Sequence, residues 1–138
     1  MKKMRRLLLV VSALFFFVTG CGGYHVKCYP GPEMNKSGIV TITTDDSMLR
    51  IVNLDRQSIE LNTFWEYVNA IFVYGFHPRT ITVLPGAHSL MPCLDLYDST
   101  VCANSLLDIE AKAGDSYIIK HTYIGSKNVS FSIEPNKD

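Results

Sequence analysis

Arg79-Thr80-Ile81-Thr82-Val83-Leu84-Pro85-Gly86-Ala87-His88 is the stretch whose reading decides the fold class. Ile81 and Val83 fall on one face of an extended chain, Thr80 and Thr82 on the other. That period of two, built from β-branched residues, is a strand signal. Pro85 presets φ for the first turn position and Gly86 accepts positive φ at the second, which is type II turn chemistry. Residues 87–96 are therefore expected to return as the partner strand.

The same alternation runs outward in both directions. Upstream, 39–43 and 48–54 read as strands ended by Asp45-Asp46 and by Asp55. Downstream, 106–111 puts Leu107, Ile109 and Ala111 on one face. Gly114-Asp115 turns the chain. Residues 116–124 alternate Tyr117, Ile119 and Tyr123 against Lys120 and Thr122. Gly125-Ser126 turns again, and Val129, Phe131 and Ile133 close the pattern. Seven strands with turns at short intervals predict an all-β fold, a small antiparallel β-sandwich. One stretch departs from period two. Leu61, Trp65, Val68 and Phe72 recur at three- and four-residue steps, and Thr63 with Glu66 has capping-box spacing. Residues 63–73 read either as a short helix covering one sheet or, over 69–75, as a strand.

The chain of 138 residues supports one domain, and its 47% hydrophobic and 19% charged content excludes a disordered tail protein. The formal charge is zero, 13 basic against 13 acidic residues, but four of the basic ones lie in the first six positions. From Cys21 onward the balance is 13 − 4 = 9 basic against 13 acidic, or −4. A nucleic-acid reader is expected to be basic, so that class is set aside.

Lys2, Lys3, Arg5 and Arg6 precede an apolar run from Leu7 to Val18 that is broken only by Ser12. Twelve residues are too few to cross a hydrocarbon core, which takes about 20. A basic cap, a short apolar run and small residues before a break describe an export signal. The break, Val18-Thr19-Gly20-Cys21, closely resembles a bacterial lipobox. The resemblance implies cleavage before Cys21, a diacylglycerol on its sulfur and an acylated new N-terminus. Gly22 rather than Asp after the lipidated Cys resembles the outer-membrane-sorted type, facing the periplasm. The expected division is a signal peptide over 1–20, a lipidated tether over 21–36 and a β-sandwich domain over 37–138. The tether reading rests on Gly22, Gly23 and Tyr29-Pro30-Gly31-Pro32, which oppose helix and central strand.

Export places the body where disulfides persist. With Cys21 lipidated, Cys28, Cys93 and Cys102 remain, enough for one bridge. The eight residues between Cys93 and Cys102 look like a loop, which favours that pair. A bridge from Cys28 to either is the rival. Three cysteines without Cys-x-x-Cys spacing argue against zinc, and His25, His77, His88 and His121 show no ligand spacing, so no metal or other cofactor is expected.

Leu84-Pro85-Gly86-Ala87-His88, followed by Ala113-Gly114-Asp115-Ser116-Tyr117 and preceded by Tyr29-Pro30-Gly31-Pro32, resembles a pattern in small bacterial lipoproteins. The hairpin is also similar to those of PEGA and transthyretin-like sandwich modules. The chain departs from the pattern at Asp55-Arg56, where Gly is expected. The resemblance implies a fold and a location, with no catalytic residues to carry over.

No Gly-x-Ser-x-Gly elbow or phosphate-binding Gly loop is present, and Asp45-Asp46 reads as a strand-end turn and not as a catalytic carboxylate pair. A catalytic role is therefore not expected. Phe64, Trp65, Tyr67, Phe72, Tyr74 and Phe76 place six aromatics in fourteen residues. They read first as core, and Trp65, Tyr67, Phe72 and Tyr74 are the candidates for a partner-binding surface. The expectation is a membrane-anchored, non-catalytic envelope module that binds an envelope protein or cell-wall partner. The alternative is a periplasmic inhibitor of the lysozyme type or a hydrolase accessory.

Overall fold

A computed structural model of the chain describes residues 25–59, 77–126 and 128–137. Ten strands follow in chain order: β1 His25–Lys27, β2 Val40–Thr44, β3 Leu49–Leu54, β4 Gln57–Ser58, β5 Thr80–Val83, β6 Gly86–Asp95, β7 Thr100–Cys102, β8 Leu107–Ala111, β9 Ser116–Ile124 and β10 Asn128–Pro135. The only helical element among the described residues is a 3₁₀ turn at Lys36–Gly38, and no helix among them is long and apolar enough to cross a membrane. The chain is an all-β sandwich, and the seven expected strands are present within about two residues of their expected ends.

One sheet has the order β1-β5-β2-β9-β10; the other runs β4-β3-β6, with β7 and β8 both along the far side of β6. Most pairs are antiparallel. The parallel ones are β1 with β5 and β2 with β9. Alternation explains how the two sheets close on each other. In β2, Val40, Ile42 and Thr44 are buried and Thr41 and Thr43 are half-buried. Ile42, Ile81 and Ile119 from one sheet meet Leu49, Ile51, Leu90 and Leu94 from the other, all fully or almost fully buried. Thr44 enters this core because its hydroxyl lies 3.0 Å from the Leu49 carbonyl oxygen, so no polar group is stranded.

Pro92 stands inside β6, a place where a missing N–H interrupts the ladder. The opposing strand accommodates it. The register steps from Ile51↔Pro92 to Asn53↔Met91, leaving Val52 as a bulge. The displaced groups find other partners: Ile51 N–H donates to Pro78 O at 2.9 Å, and Ile59 N–H donates to Val52 O at 3.1 Å.

Two expectations are corrected. First, β6 does not return beside β5. Both edges of β5 are occupied, by β1 and β2, while β6 lies in the other sheet between β3 and the β7–β8 pair. Leu84-Pro85 is thus a corner between sheets. Gly86 does take positive φ, at +136°, but as the first residue of β6. Second, the segment over 25–29 is not a linker. Val26 is 1% exposed in β1, Cys28 N–H donates to Thr82 O at 2.9 Å, and the buried Tyr29 hydroxyl accepts from Met34 N–H at 3.0 Å. Three residues are too short for alternation to register in the sequence, and the flanking Pro and Gly masked it. The readings of 1–20, of Cys21 to Tyr24 and of a helix or strand within 63–73 lie outside the described residues.

Val26→Ala discriminates strand from linker. Removing two buried methyl groups from β1 should cost about 1–3 kcal/mol in urea unfolding. A change near zero would mean that β1 is not part of the cooperative unit.

Candidate functional site: the loop end of the sandwich

The strand directions gather several loops at one end. β2 runs into residues 45–48, β6 into 96–99 and β9 into Gly125-Ser126, while β5 begins there after His77-Pro78-Arg79. The first two loops are held by their own hydrogen bonds. Asp46 Oδ1 accepts from Met48 N–H at 2.7 Å, an Asx turn that sets the entry to β3. Asp95 N–H donates to Met48 O at 3.0 Å and joins that loop to the next.

The 96–99 loop is clamped more firmly. Cys93 and Cys102 are opposite each other in the β6–β7 ladder and are joined by a disulfide. Leu96 N–H donates to Ser99 O at 2.7 Å. The Asp95 carboxylate accepts from Thr100 Oγ1 at 3.0 Å and from Arg50 Nε at 3.3 Å. At the tip Tyr97 is fully exposed, with 107% relative accessibility. A rigid hairpin that presents an aromatic ring loses little conformational entropy on contact with a partner.

On the other sheet, His121 Nδ1 lies 3.4 Å from Asp45 Oδ1, and the His121 ring meets Tyr123 edge-on at 5.5 Å. Tyr123 and Ile124 are both more than half exposed. Met48, Tyr97, Tyr123 and Ile124 therefore belong to one bonded set of loops. Beside them a groove of about 510 Å³ opens between the sheet edges, lined by Val101, Leu107, Ile124, Val129 and Phe131 among others.

His77 sits under this end with its Nδ1 buried and unbonded. Burial holds its pKa below 6.5; the nearby Asp95 charge opposes that shift and Arg50 adds to it. A histidine that resists protonation when folded stabilises the fold above the unfolded value and loses that contribution as pH falls.

The opposite end carries the densest polar cluster. Asp55 and Arg56 connect β3 to β4 with φ of +51° and +67°, the left-handed pair that a two-residue hairpin demands. Arg56 thus takes the left-handed conformation that a glycine would adopt without strain. Asp55 is held there by the neighbouring strand: its Oδ1 accepts from Ser89 N–H at 2.9 Å, its Oδ2 lies 2.9 Å from His88 Nδ1, and its own N–H donates to Ser89 O at 2.7 Å. His88 Nε2 lies 2.7 Å from Leu84 O, so the ring bridges the Asp55 carboxylate and the Leu84 carbonyl. Ser89 Oγ donates to Asp108 Oδ1 at 2.6 Å and is not aimed at His88. The cluster has the residue types of a hydrolytic triad without its connectivity. What it does is tie the strained turn and the Leu84-Pro85 corner to β6.

Among the expected site residues, Cys93 and Cys102 form the clamp of the Tyr97 hairpin. Cys21, Trp65, Tyr67, Phe72 and Tyr74 lie outside the described residues. Among the described residues no three His, Cys, Asp or Glu side chains gather as a metal site. Tyr97 and Tyr123 went unremarked in the sequence as surface groups. The alternation of β9 assigns Tyr123 to the inner face, and only the overrun of β9 past the end of β2 exposes it. Compared with protein-family models, with curated proteins and with solved structures, the chain matches none.

Two measurements follow. Stability of the wild type should fall as pH drops below 6.5, and His77→Gln should flatten that slope in thermal unfolding. Arg56→Gly should raise stability by roughly 1 kcal/mol by relieving the left-handed backbone, whereas Asp55→Ala should lower it by about 1.5–3 kcal/mol.

Proposed function

We propose that the protein is a lipid-anchored, non-catalytic module of a bacterial cell envelope, a rigid β body held at a membrane to make contacts there. The observation that carries the reading is the Val18-Thr19-Gly20-Cys21 break behind a basic cap and a twelve-residue apolar run. Acyl chains contribute about 0.8 kcal/mol per buried CH₂, and more than one chain gives stable anchoring. The Gly22 that follows resembles the outer-membrane-sorted type, which supports a body facing the periplasm.

Three further features support it. A disulfide between Cys93 and Cys102 suits an oxidising compartment. The nucleophile-like Ser89 and the His88–Asp55 pair have their polar atoms engaged in holding a turn. The 45–48 and 96–99 loops at one end are braced by hydrogen bonds and a disulfide, and exposed apolar side chains stand there, as a contact surface requires.

Mass spectrometry of protein extracted from membranes tests the anchor. The expected product begins at Cys21 and carries diacylglycerol and an N-acyl group. Cys21→Ser should move the protein from the membrane fraction to the soluble fraction. An uncut leader or an unmodified Cys21 would overturn the reading.

A further inference from the structure

We propose that the loop end of the sandwich is a bilayer-contacting face, seated on zwitterionic phospholipid headgroups through Tyr97, Tyr123, Ile124 and Met48. The proposal rests on lipid at Cys21 and adds to it an orientation and a set of contact residues.

Strand direction is the first argument. β1 runs parallel to β5 with His25 opposite Thr80, and β5 runs antiparallel to β2 with Thr80 opposite Thr43. Thr43 is next to the last residue of β2, where the chain enters the 45–48 loop. The chain therefore enters β1 from the loop end. Cys21 precedes His25 by four residues, which reach at most about 14 Å. The ten residues of β6 span roughly 34 Å from the loop end to the far end. A leash shorter than half the body brings the loop end, and not the opposite one, to the surface that holds the acyl chains.

The side chains at that end are the second argument. Six large apolar side chains are exposed among the described residues, and four of them, Met48, Tyr97, Tyr123 and Ile124, are on this end. Tyrosine, with an apolar ring and a polar hydroxyl, is suited to the headgroup level. The four are one surface, because Met48 O accepts from Asp95 N–H at the base of the Tyr97 hairpin and His121 bridges Asp45 and Tyr123.

Charge selects the headgroup. Asp45, Asp46, Asp95 and Asp98 stand at this end against Arg50, paired with Asp95, and Arg79, which donates from Nε to Thr44 Oγ1 at 3.4 Å and keeps its charge, so the described side chains there are net acidic. An acidic rim is repelled by anionic lipid and tolerated by zwitterionic lipid.

Photocrosslinking of the full-length, lipidated protein in phosphatidylethanolamine–phosphatidylcholine vesicles tests this. Tyr97→p-benzoylphenylalanine and Tyr123→p-benzoylphenylalanine should give phospholipid adducts. Leu84→p-benzoylphenylalanine, exposed at the opposite end, should give roughly tenfold less, since burying one such side chain is worth a factor of that order. Adding phosphatidylglycerol should lower the yield at 97. Tyr97→Asp with Ile124→Asp should leave the protein in the membrane fraction but reduce the lipid adduct formed by Tyr123→p-benzoylphenylalanine. Tyr97 is fully exposed and Ile124 more than half exposed, and an intact Cys93–Cys102 disulfide reports folding. Equal yields at 84 and 97, adducts at 97 to protein instead of lipid, or a higher yield on anionic vesicles would overturn the proposal. The mass of Cys21 in the same samples separates the two readings. A lipidated Cys21 with uniform labelling sinks the contact face alone, while a bare Cys21 sinks the anchor and the face with it.

Discussion

The molecule depends on the exclusion of water from a slab of aliphatic side chains between two sheets. Ile42, Ile81 and Ile119 project from one side and Leu49, Ile51, Leu90 and Leu94 from the other, none with more than about 1% of its surface exposed. Each fully buried side chain of this kind contributes about 1.5–3 kcal/mol. No helix among the described residues shares in that burial, so strand alternation has to supply the inner face. Every other feature inherits from this slab. The strained Asp55-Arg56 turn between β3 and β4 persists because β6, packed on β3, holds Asp55 through Ser89.

The sequence was legible where a strand is long enough to alternate and opaque where it is not. β9 reads from Ser116 to Ile124 without ambiguity, because Tyr117, Ile119 and Tyr123 sit against Lys120 and Thr122. β1, β4 and β7 have two or three residues each, and nothing in a tripeptide such as His25–Lys27 separates strand from coil. Partnering was less legible than the strands themselves. Pro85-Gly86 carries turn chemistry that serves a hairpin or a corner equally, and the choice is made by which edges are already taken, a fact of the whole fold. The exposed aromatics were hidden for the same reason. Tyr97 stands out only once β6 and β7 are known to pair with Cys93 opposite Cys102.

The two ends of the sandwich handle polarity in opposite ways. At the Asp55 end the carboxylates, the imidazole and the hydroxyl bond to each other and to backbone, so the cluster is closed upon itself. At the loop end the polar groups lie below and around exposed rings: Asp95 braces the hairpin, His121 braces Tyr123, and the rings stand free. A cluster that has used its hydrogen bonds offers a partner little, while a supported ring offers area without new ordering.

Pro92 has a consequence of its own. A strand sliding by two residues keeps its inner and outer faces, so alternation alone does not forbid the slip. A residue without an N–H, matched to a single bulge at Val52, does forbid it, because in any shifted pairing the gap and the bulge part company and a carbonyl loses its donor. The proline works as an indexing notch. It fixes how far β6 slides past β3, and so how far the Tyr97 hairpin projects beyond its neighbours.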